Sequence, residues 1–401
     1  MQKIYKCIIV GGGSAGLLSA VELLSGNDCL NGGDLLILER NDRVGKKLIA
    51  TGNGQGNLCN ENFSSEFYHG DKEFINTFVS LAKKLDVSSY LTNLGIPLTT
   101  GKEGRMYPLS KQASAVLDVL RKFIASKGCA EITNAKVESV KKTDKYFVVK
   151  TQTDTFYSQN VILATGGMSA KQFGTDGTSY QLACDLGHEK TKLFPSLVQL
   201  KTDTSLIKGL KGLKETVRLT AVKNGKVIKS CCGEVLFTEY GVSGNAVFQI
   251  SGSVVNEEGV ELNLEFLPEL SVEEITNILS VREKIKIFER EDYLTGIVNK
   301  KIGLAVMKTV KNVSPLSVAK ALKNFKLALT GNLGFNYSQV TKGGIKTDKI
   351  NPFTMESKLA RGCYLVGELL NLDGDCGGYN LTFAFVSGIL SAKAIKEKFT
   401  N

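Results

Sequence analysis

The chain opens on a nearly unbroken apolar run, Ile4 to Val10, the pattern of a strand buried on both faces. Glycines 11–13 turn it, and from Ser14 to about Ser25 the apolar positions Leu17, Leu18, Val21 and Leu24 recur at helical spacing. A short polar loop, 27–33, leads to a second apolar run, Leu35 to Leu38, closed by Glu39. The pattern predicts a βαβ unit beginning almost at the first residue. Residues 72–94, 111–127 and 178–186 read as helices, 135–140 and 146–150 as strands, and Val161 to Ala164 as a buried strand ending in Thr165-Gly166-Gly167. From about residue 195 the texture changes. Segments 197–202, 216–223, 226–231 and 234–237 alternate apolar and polar residues, as antiparallel strands do. Helical patterning follows. Ser271 stands three residues before Glu274, a capping-box spacing that opens a helix to about Arg282, and Ser314-Pro315 opens another. After an expected strand at 325–330, Gly343-Gly344 and Tyr364 to Gly367 return to α/β character, and a helix is expected from about Leu381 to Lys398. An α/β domain interrupted by a β-rich and helical insertion accounts for this order.

Composition narrows the picture. The 401 residues exceed one small core, while 42% hydrophobic and 22% charged residues are ordinary for a globular protein. Only 6 prolines accompany 41 glycines, and the glycines cluster in turns, which points to close backbone approach to a ligand. Nine cysteines with no CxxC pair, and only two histidines, argue against a Cys/His zinc site, so no metal is expected. Free thiols fit a reducing compartment. With no apolar run of about 18 residues and glycines interrupting the N-terminal one, the expectation is a cytoplasmic protein without membrane contact. The net charge of +10 reads first as solvated lysine, since no RNA- or DNA-binding motif accompanies it.

Three glycine motifs carry the chemistry. Gly11-x-Gly13-Ser14-Ala15-Gly16 lies between strand and helix, with an acid, Glu39, closing the next strand. Gly11 permits the tight turn, Gly13 leaves no Cβ between backbone and a pyrophosphate, and Gly16 lets helix pack on strand. The helix N-terminus would face the phosphates and Glu39 the ribose hydroxyls. The second motif is Ala164-Thr165-Gly166-Gly167. The third runs through Gly367-Glu368, Asp373-Gly374 and Gly377-Gly378-Tyr379-Asn380-Leu381, where Asp373 suits ribityl hydroxyls and the following helix dipole suits the flavin N1–C2=O edge. Together they resemble the glutathione-reductase-like class of FAD proteins, and FAD is the expected cofactor. No second GxGxxG marks a separate nicotinamide domain, although NADH or NADPH remains open as electron donor, and no CxxxxC pair marks a disulfide reductase.

The stretch Asp42 to Gly54, containing Lys47 and Thr51-Gly52-Asn53-Gly54, with Asn57 and Asn60, is similar to the signature of a bacterial family of FAD-dependent oxidoreductases, BaiN-like or aminoacetone-oxidase-like. Leu236-Phe237-Thr238, Gly241 to Gly244 and Val340 to Gly344 extend the resemblance in order along the chain. It implies a Rossmann-like FAD/NAD(P)-binding domain, 1–194 and 341–401, with a β-barrel-like insertion at 195–340 that holds a small helical subdomain at about 270–325. It also implies that Arg40 and Val137 join the cofactor-binding residues. The chain departs from the family pattern at Gln55-Gly56 (Arg-Cys in the family), Glu239 (His) and Asn245 (Pro).

Candidate catalytic groups are few. Glu239 and Tyr240 occupy the slot of the family histidine. Tyr379 beside the flavin would donate a proton, or else serve as a core tyrosine. Cys376 and His188 read as structural. The expected function is hydride transfer between flavin and a small organic substrate, as an NAD(P)H-fed reductase of an activated C=C bond. The alternatives are an amine oxidase using O2, or a flavin-bearing RNA-binding or RNA-modifying protein supported by the charge. The oligomeric state is left open.

Overall fold

The computed structural model describes residues 3–26 and 30–400, so the first three residues of the expected 27–33 loop lie outside the described residues. The chain divides into two compact units, one formed by residues 1–193 with 340–401 and the other by 194–339.

In the first unit β1 (Ile4–Val10) is buried over Cys7 to Val10, and α1 (Ser14–Leu23) buries nine of its ten residues. Next come β2 (Leu35–Leu38), the short helix α2 (Lys46–Ile49), β3 (Cys59–Asn60), β4 (Tyr68–Gly70), α3 (Lys72–Leu85) and α4 (Val87–Asn93). The single helix expected over 72–94 is thus two. Asp86, at φ 46°, ends one and starts the next, its carboxylate accepting the Ser89 N–H at 3.2 Å. β5 (Leu98–Thr100), β6 (Arg105–Pro108), α5 (Ala113–Ser126), β7 (Ala130–Ile132), β8 (Val137–Lys142), β9 (Phe147–Thr151), β10 (Thr155–Leu163) and α6 (Tyr180–Cys184) complete the first pass.

The main sheet runs β7-β2-β1-β10-β9-β8. β1 is parallel to β2 and β10, β7 is parallel to β2, and the β8–β9 hairpin adds on antiparallel. The β19 strand (Cys363–Leu365), from the end of the chain, pairs parallel with β10 beside it. The carboxyl ends of β1, β2 and β10 therefore lie side by side, and in open α/β sheets ligands bind there. α11 (Tyr379–Thr400) packs along α1. Gly388 makes that approach possible, because a Cβ on it would stand 2.4 Å from Ala15 O.

The second unit opens with β11 (Phe194–Ser196) and closes a six-stranded barrel, β12-β15-β14-β13-β16-β17. These strands are β12 (Leu200–Thr202), β13 (Lys214–Lys223), β14 (Lys226–Phe237), β15 (Gly241–Ser243), β16 (Val260–Phe266) and β17 (Phe325–Asn332). The two segments expected at 226–231 and 234–237 are one continuous strand, since β13 pairs along all of it. α7 (Asn245–Val254), β16 and α9 (Lys300–Thr309) appear where no element is expected. α8 (Val272–Ile285), with the capping box on Ser271, and α10 (Pro315–Lys323) form a helical cap with α9. β18 (Val340–Lys342) and β20 (Leu372–Gly374) belong to the first unit's return. The α/β class with an inserted barrel and small helices is the one observed.

Candidate functional site

Four glycine-rich loops meet at the N-terminus of α1. A Cβ on Gly11 would stand 2.5 Å from Ala164 O, one on Gly12 2.3 Å from Val44, and one on Gly367 3.1 Å from the Ala15 Cβ. The N-terminal turn, the 42–54 segment, the Ala-Thr-Gly turn and the C-terminal motif thus touch, although they lie up to about 350 residues apart in sequence. Gly16 is closed, with its Cβ position 2.0 Å from Gly11 O, whereas nothing lies within 4 Å of a Cβ on Gly13. No side chain caps α1. Its first-turn N–H groups, including those of Ser14, Ala15 and Gly16, are therefore left without a side-chain cap, as an anion site requires.

Glu39 is buried at the end of β2. Its Oε2 accepts the Gly12 N–H at 2.8 Å, and its Oε1 accepts the N–H and Nδ2 of Asn41, both at 2.8 Å. Three of about four acceptor positions are taken, which leaves room for one hydroxyl donor. Arg40 is clamped by both Asp176 oxygens, at 2.7 and 2.9 Å. Burial raises the Asp176 carboxyl, but the Arg40 and Thr178 hydrogen bonds outweigh it and hold it well below the usual range. Arg40 thus ties the end of β2 to the 174–178 loop. Val137 is buried at the start of β8.

Lys47 Nζ lies 2.5 Å from Glu368 Oε2, whose Oε1 accepts the Thr341 N–H at 2.9 Å. Thr341 Oγ1 in turn accepts the Met168 and Ser169 N–H groups at 2.8 and 3.1 Å. This relay ties the 42–54 segment to the loop after β10. Thr51 to Gly54 form a short turn with Gly52, Asn53 and Gly54 at positive φ. Thr165 Oγ1 and Asn57 Oδ1 are buried without a protein partner, and Gly166 turns at φ 71°. Buried polar atoms are nearly always paired, so these two fit a polar ligand.

Asp373 is 3% exposed, on β20 opposite His69 of β4. Burial pushes its carboxyl up to about 6, opposed by His69 and Lys342 and assisted by Asp375 and Glu368. Asn380 braces the next turn, accepting the Gly374 N–H at 2.8 Å and donating to Gly374 O at 2.7 Å. A Cβ on Gly378 would stand 2.5 Å from Cys59 O, and Leu381 is half-buried at the start of α11. The Tyr379 hydroxyl donates to Asn62 O at 3.0 Å, its ring stacks on Phe67 at 4.6 Å, and burial pushes it up to about 12. His188 bonds Ser357 at 2.8 Å, inside the core.

Glu239 and Tyr240 lie in the second unit, in the turn between β14 and β15. Glu239 is exposed, and its hydrogen bond from Lys211 at 2.5 Å holds it below the usual carboxylate range. Tyr240 is half-buried, and its hydroxyl has no partner among the described residues.

Sequence reasoning passed over Arg105 and His69, and took Asn60 only as part of the family resemblance. Arg105 of β6 is half-buried, bonds Glu103 at 2.7 Å and sits close enough to Cys376 to oppose the rise that burial imposes on that thiol. Asn60 Nδ2 donates to Gly377 O at 2.9 Å, and His69 Nε2 is 2.9 Å from Asp375 Oδ1. Each joins positions about 270 to 320 residues apart, so no local pattern marks them.

The geometry fits a dinucleotide: an open, uncapped helix N-terminus, a buried acid one strand away and unpaired polar atoms around them. Comparison with known proteins agrees. Residues 5–394 match the family described as HI0933-like protein Rossmann domain. The chain is 33% identical, over 97% of its length and 98% of the relative's, to the 3-dehydro-bile acid delta(4,6)-reductase of Clostridium scindens. It is 27% identical, over 99% of its length and 100% of the relative's, to the ribosomal RNA dihydrouridine synthase of Haemophilus influenzae. Among solved structures, a 3-ketosteroid-delta4-(5alpha)-dehydrogenase from Rhodococcus jostii shares the fold, with a TM-score of 0.52 at 15% identity over 99% of this chain and 98% of that one.

Proposed function

Because this chain belongs to the HI0933-like family and is an FAD-dependent oxidoreductase, we propose that it reduces a carbon–carbon double bond conjugated to a carbonyl, fed by NADH or NADPH. The observation that carries this reading is the 33% identity, across nearly the whole of both chains, to a protein named for reducing such bonds in a 3-keto bile acid. The Haemophilus influenzae relative is named for a change at the uracil C5=C6 bond, which is likewise conjugated to a carbonyl. One chemistry therefore covers both. A small polycyclic or otherwise compact enone is our first reading. The second reading, a uracil within RNA, draws on that relative and on the charge of +10. The eight described cysteines are all free thiols, in keeping with a cytoplasmic site of action.

We assign the diphosphate of FAD to the α1 N-terminus at Gly11, Gly13, Ser14, Ala15 and Gly16, and its ribose to Glu39, with Arg40 and Val137 shaping that end. Lys47, Thr51 to Gly54, Asn57 and Ala164 to Gly166 enclose the middle. Asp373 and the 378–381 start of α11 hold the ribityl and ring end, with Gly367 and Glu368 bracing them. Bound there, FAD supplies the hydride. The protein's own part is to exclude water, hold the substrate carbonyl oxygen, and deliver a proton to the substrate α-carbon. The Tyr379 hydroxyl is not that donor, because it is committed to Asn62 O.

The test is product analysis. Purified enzyme with NADPH or NADH is offered a Δ4,6-3-keto steroid, and separately a uridine-containing ribosomal RNA fragment, and the products are weighed by mass spectrometry. A gain of two hydrogens on the steroid is the expected result, and a gain on the RNA alone would select the second reading. Neither gain, with O2 consumed on addition of an amine, would refute the proposal.

A further inference from the structure

α8 carries apolar residues on two faces. One face, with Ile275 and Leu279, is buried in the core of the second unit among Val318, Ala319 and Leu322. The other faces solvent: Ile278 is 41% exposed, Val281 58% and Ile285 50%, and Ile287, just past the helix, is 73% exposed. An amphipathic surface helix normally presents charge on its outer face, so a second apolar stripe marks a docking surface. Glu274, Ile278, Val281 and Ile285 follow each other at spacings of four, three and four, the seam that a helix offers to another helix.

Charge identifies the occupant. Glu273 and Glu274 lie in the first turn of α8, while Lys284 and Lys286 lie at its end. Among the described residues Glu273, Lys284 and Lys286 have no ion-pair partner. A parallel copy of the helix would set like charges against like. An antiparallel copy sets Glu273 and Glu274 against Lys286 and Lys284, and Ile278 against Val281, twice over. A surface that is complementary to itself about a two-fold axis is an isologous interface.

We infer that α8 is a self-association surface, on which a second copy of this chain docks its own α8 antiparallel, with Val281 near the axis. The partner helix covers the stripe and the two charged ends close over it. The inference stands independently of the substrate reading.

Sedimentation velocity of the FAD-loaded, full-length protein, from micromolar to hundred-micromolar concentration, tests it. The expected result is a monomer–dimer equilibrium that Val281→Lys abolishes while flavin content and helix content stay at wild-type levels, because that side chain faces solvent. Glu273→Lys and Lys286→Glu should each weaken the dimer about three- to tenfold, since each acts at two symmetric places. The two together should restore it to within about twofold of wild type. A monomer at every concentration would overturn the inference, as would a dimer indifferent to Val281→Lys. Failure of the paired reversal to restore association would overturn the antiparallel arrangement.

Discussion

Gly13 and Gly16 lie three residues apart and answer to different constraints. A Cβ on Gly16 collides with Gly11 O at 2.0 Å, so any side chain there disturbs the turn itself. A Cβ on Gly13 meets no protein atom within 4 Å. Gly13→Val should therefore leave the melting temperature of the flavin-free protein within a few degrees of wild type, yet yield a colourless preparation, because the side chain fills the approach of the diphosphate. A yellow, fully loaded variant would remove the first glycine motif from the site. Asp373 gives a second residue-scale prediction. Its carboxyl titrates near 6 in the fold, against an ordinary value of 3.8. Between those values the folded chain holds more protons than the unfolded one, so stability falls as pH rises from about 4 to 6. The penalty is fully present above 6, absent below about 4, and amounts to about 3 kcal/mol at most. Urea denaturation of flavin-free wild type and Asp373→Asn at pH 4.5 and 7 should show the variant's gain relative to wild type about threefold larger at the higher pH. The glycines and acids of this site were legible because each sits at a fixed offset from a strand or helix end. Arg105 and His69 were not, because their partners are brought to them by the fold alone.

Among the elements, the contact of α1 with α11 carries much of the first unit. Ala15 faces Gly388 across it, and Ser19 Oγ donates to Gly388 O at 3.1 Å. Lys396 closes the far end on Glu22 Oε1 at 3.0 Å and on the carbonyls of Glu22 and Ser25. Gly388→Val should force the helices apart and cost about 1–3 kcal/mol, read as a lower urea midpoint with an unchanged slope. A midpoint equal to wild type would show that the helices slide freely. Element boundaries show where pattern reading falls short. The apolar spacing of 72–94 continues through Asp86, yet Asp86 bonds Ser88 and Ser89 and breaks the helix there. α7, Asn245 to Val254, holds valine, isoleucine, serine and glycine, a weak helix-forming set. It is helical because Ala246, Val247, Ile250 and Val254 bury one face against the barrel. β16 alternates buried and half-buried residues along its whole length, a pattern legible in the sequence but absent from the elements expected there.

Over the whole molecule, the first and last stretches of sequence build one nucleotide-binding unit, and the middle builds a barrel with a helical cap. No helix among the described residues is long and apolar enough to cross a membrane. The fold class followed from the order of patterns: a buried strand, a glycine turn and a helix at the start, period-two segments in the middle, and glycine motifs again at the end. The substrate was not legible, because glycine motifs specify the cofactor and carry no information about the group that reacts with it. The central claim is that this enzyme passes a hydride to an electron-poor double bond. The most direct measurement reduces the purified flavoprotein anaerobically with one equivalent of dithionite, mixes it with a Δ4,6-3-keto steroid in a stopped-flow cell, and follows the return of the oxidised flavin band. The account predicts stoichiometric reoxidation with one saturated bond formed per flavin. A flavin that stays reduced in the presence of such enones and of uridine-containing RNA, and reoxidises only when O2 is admitted, would contradict it.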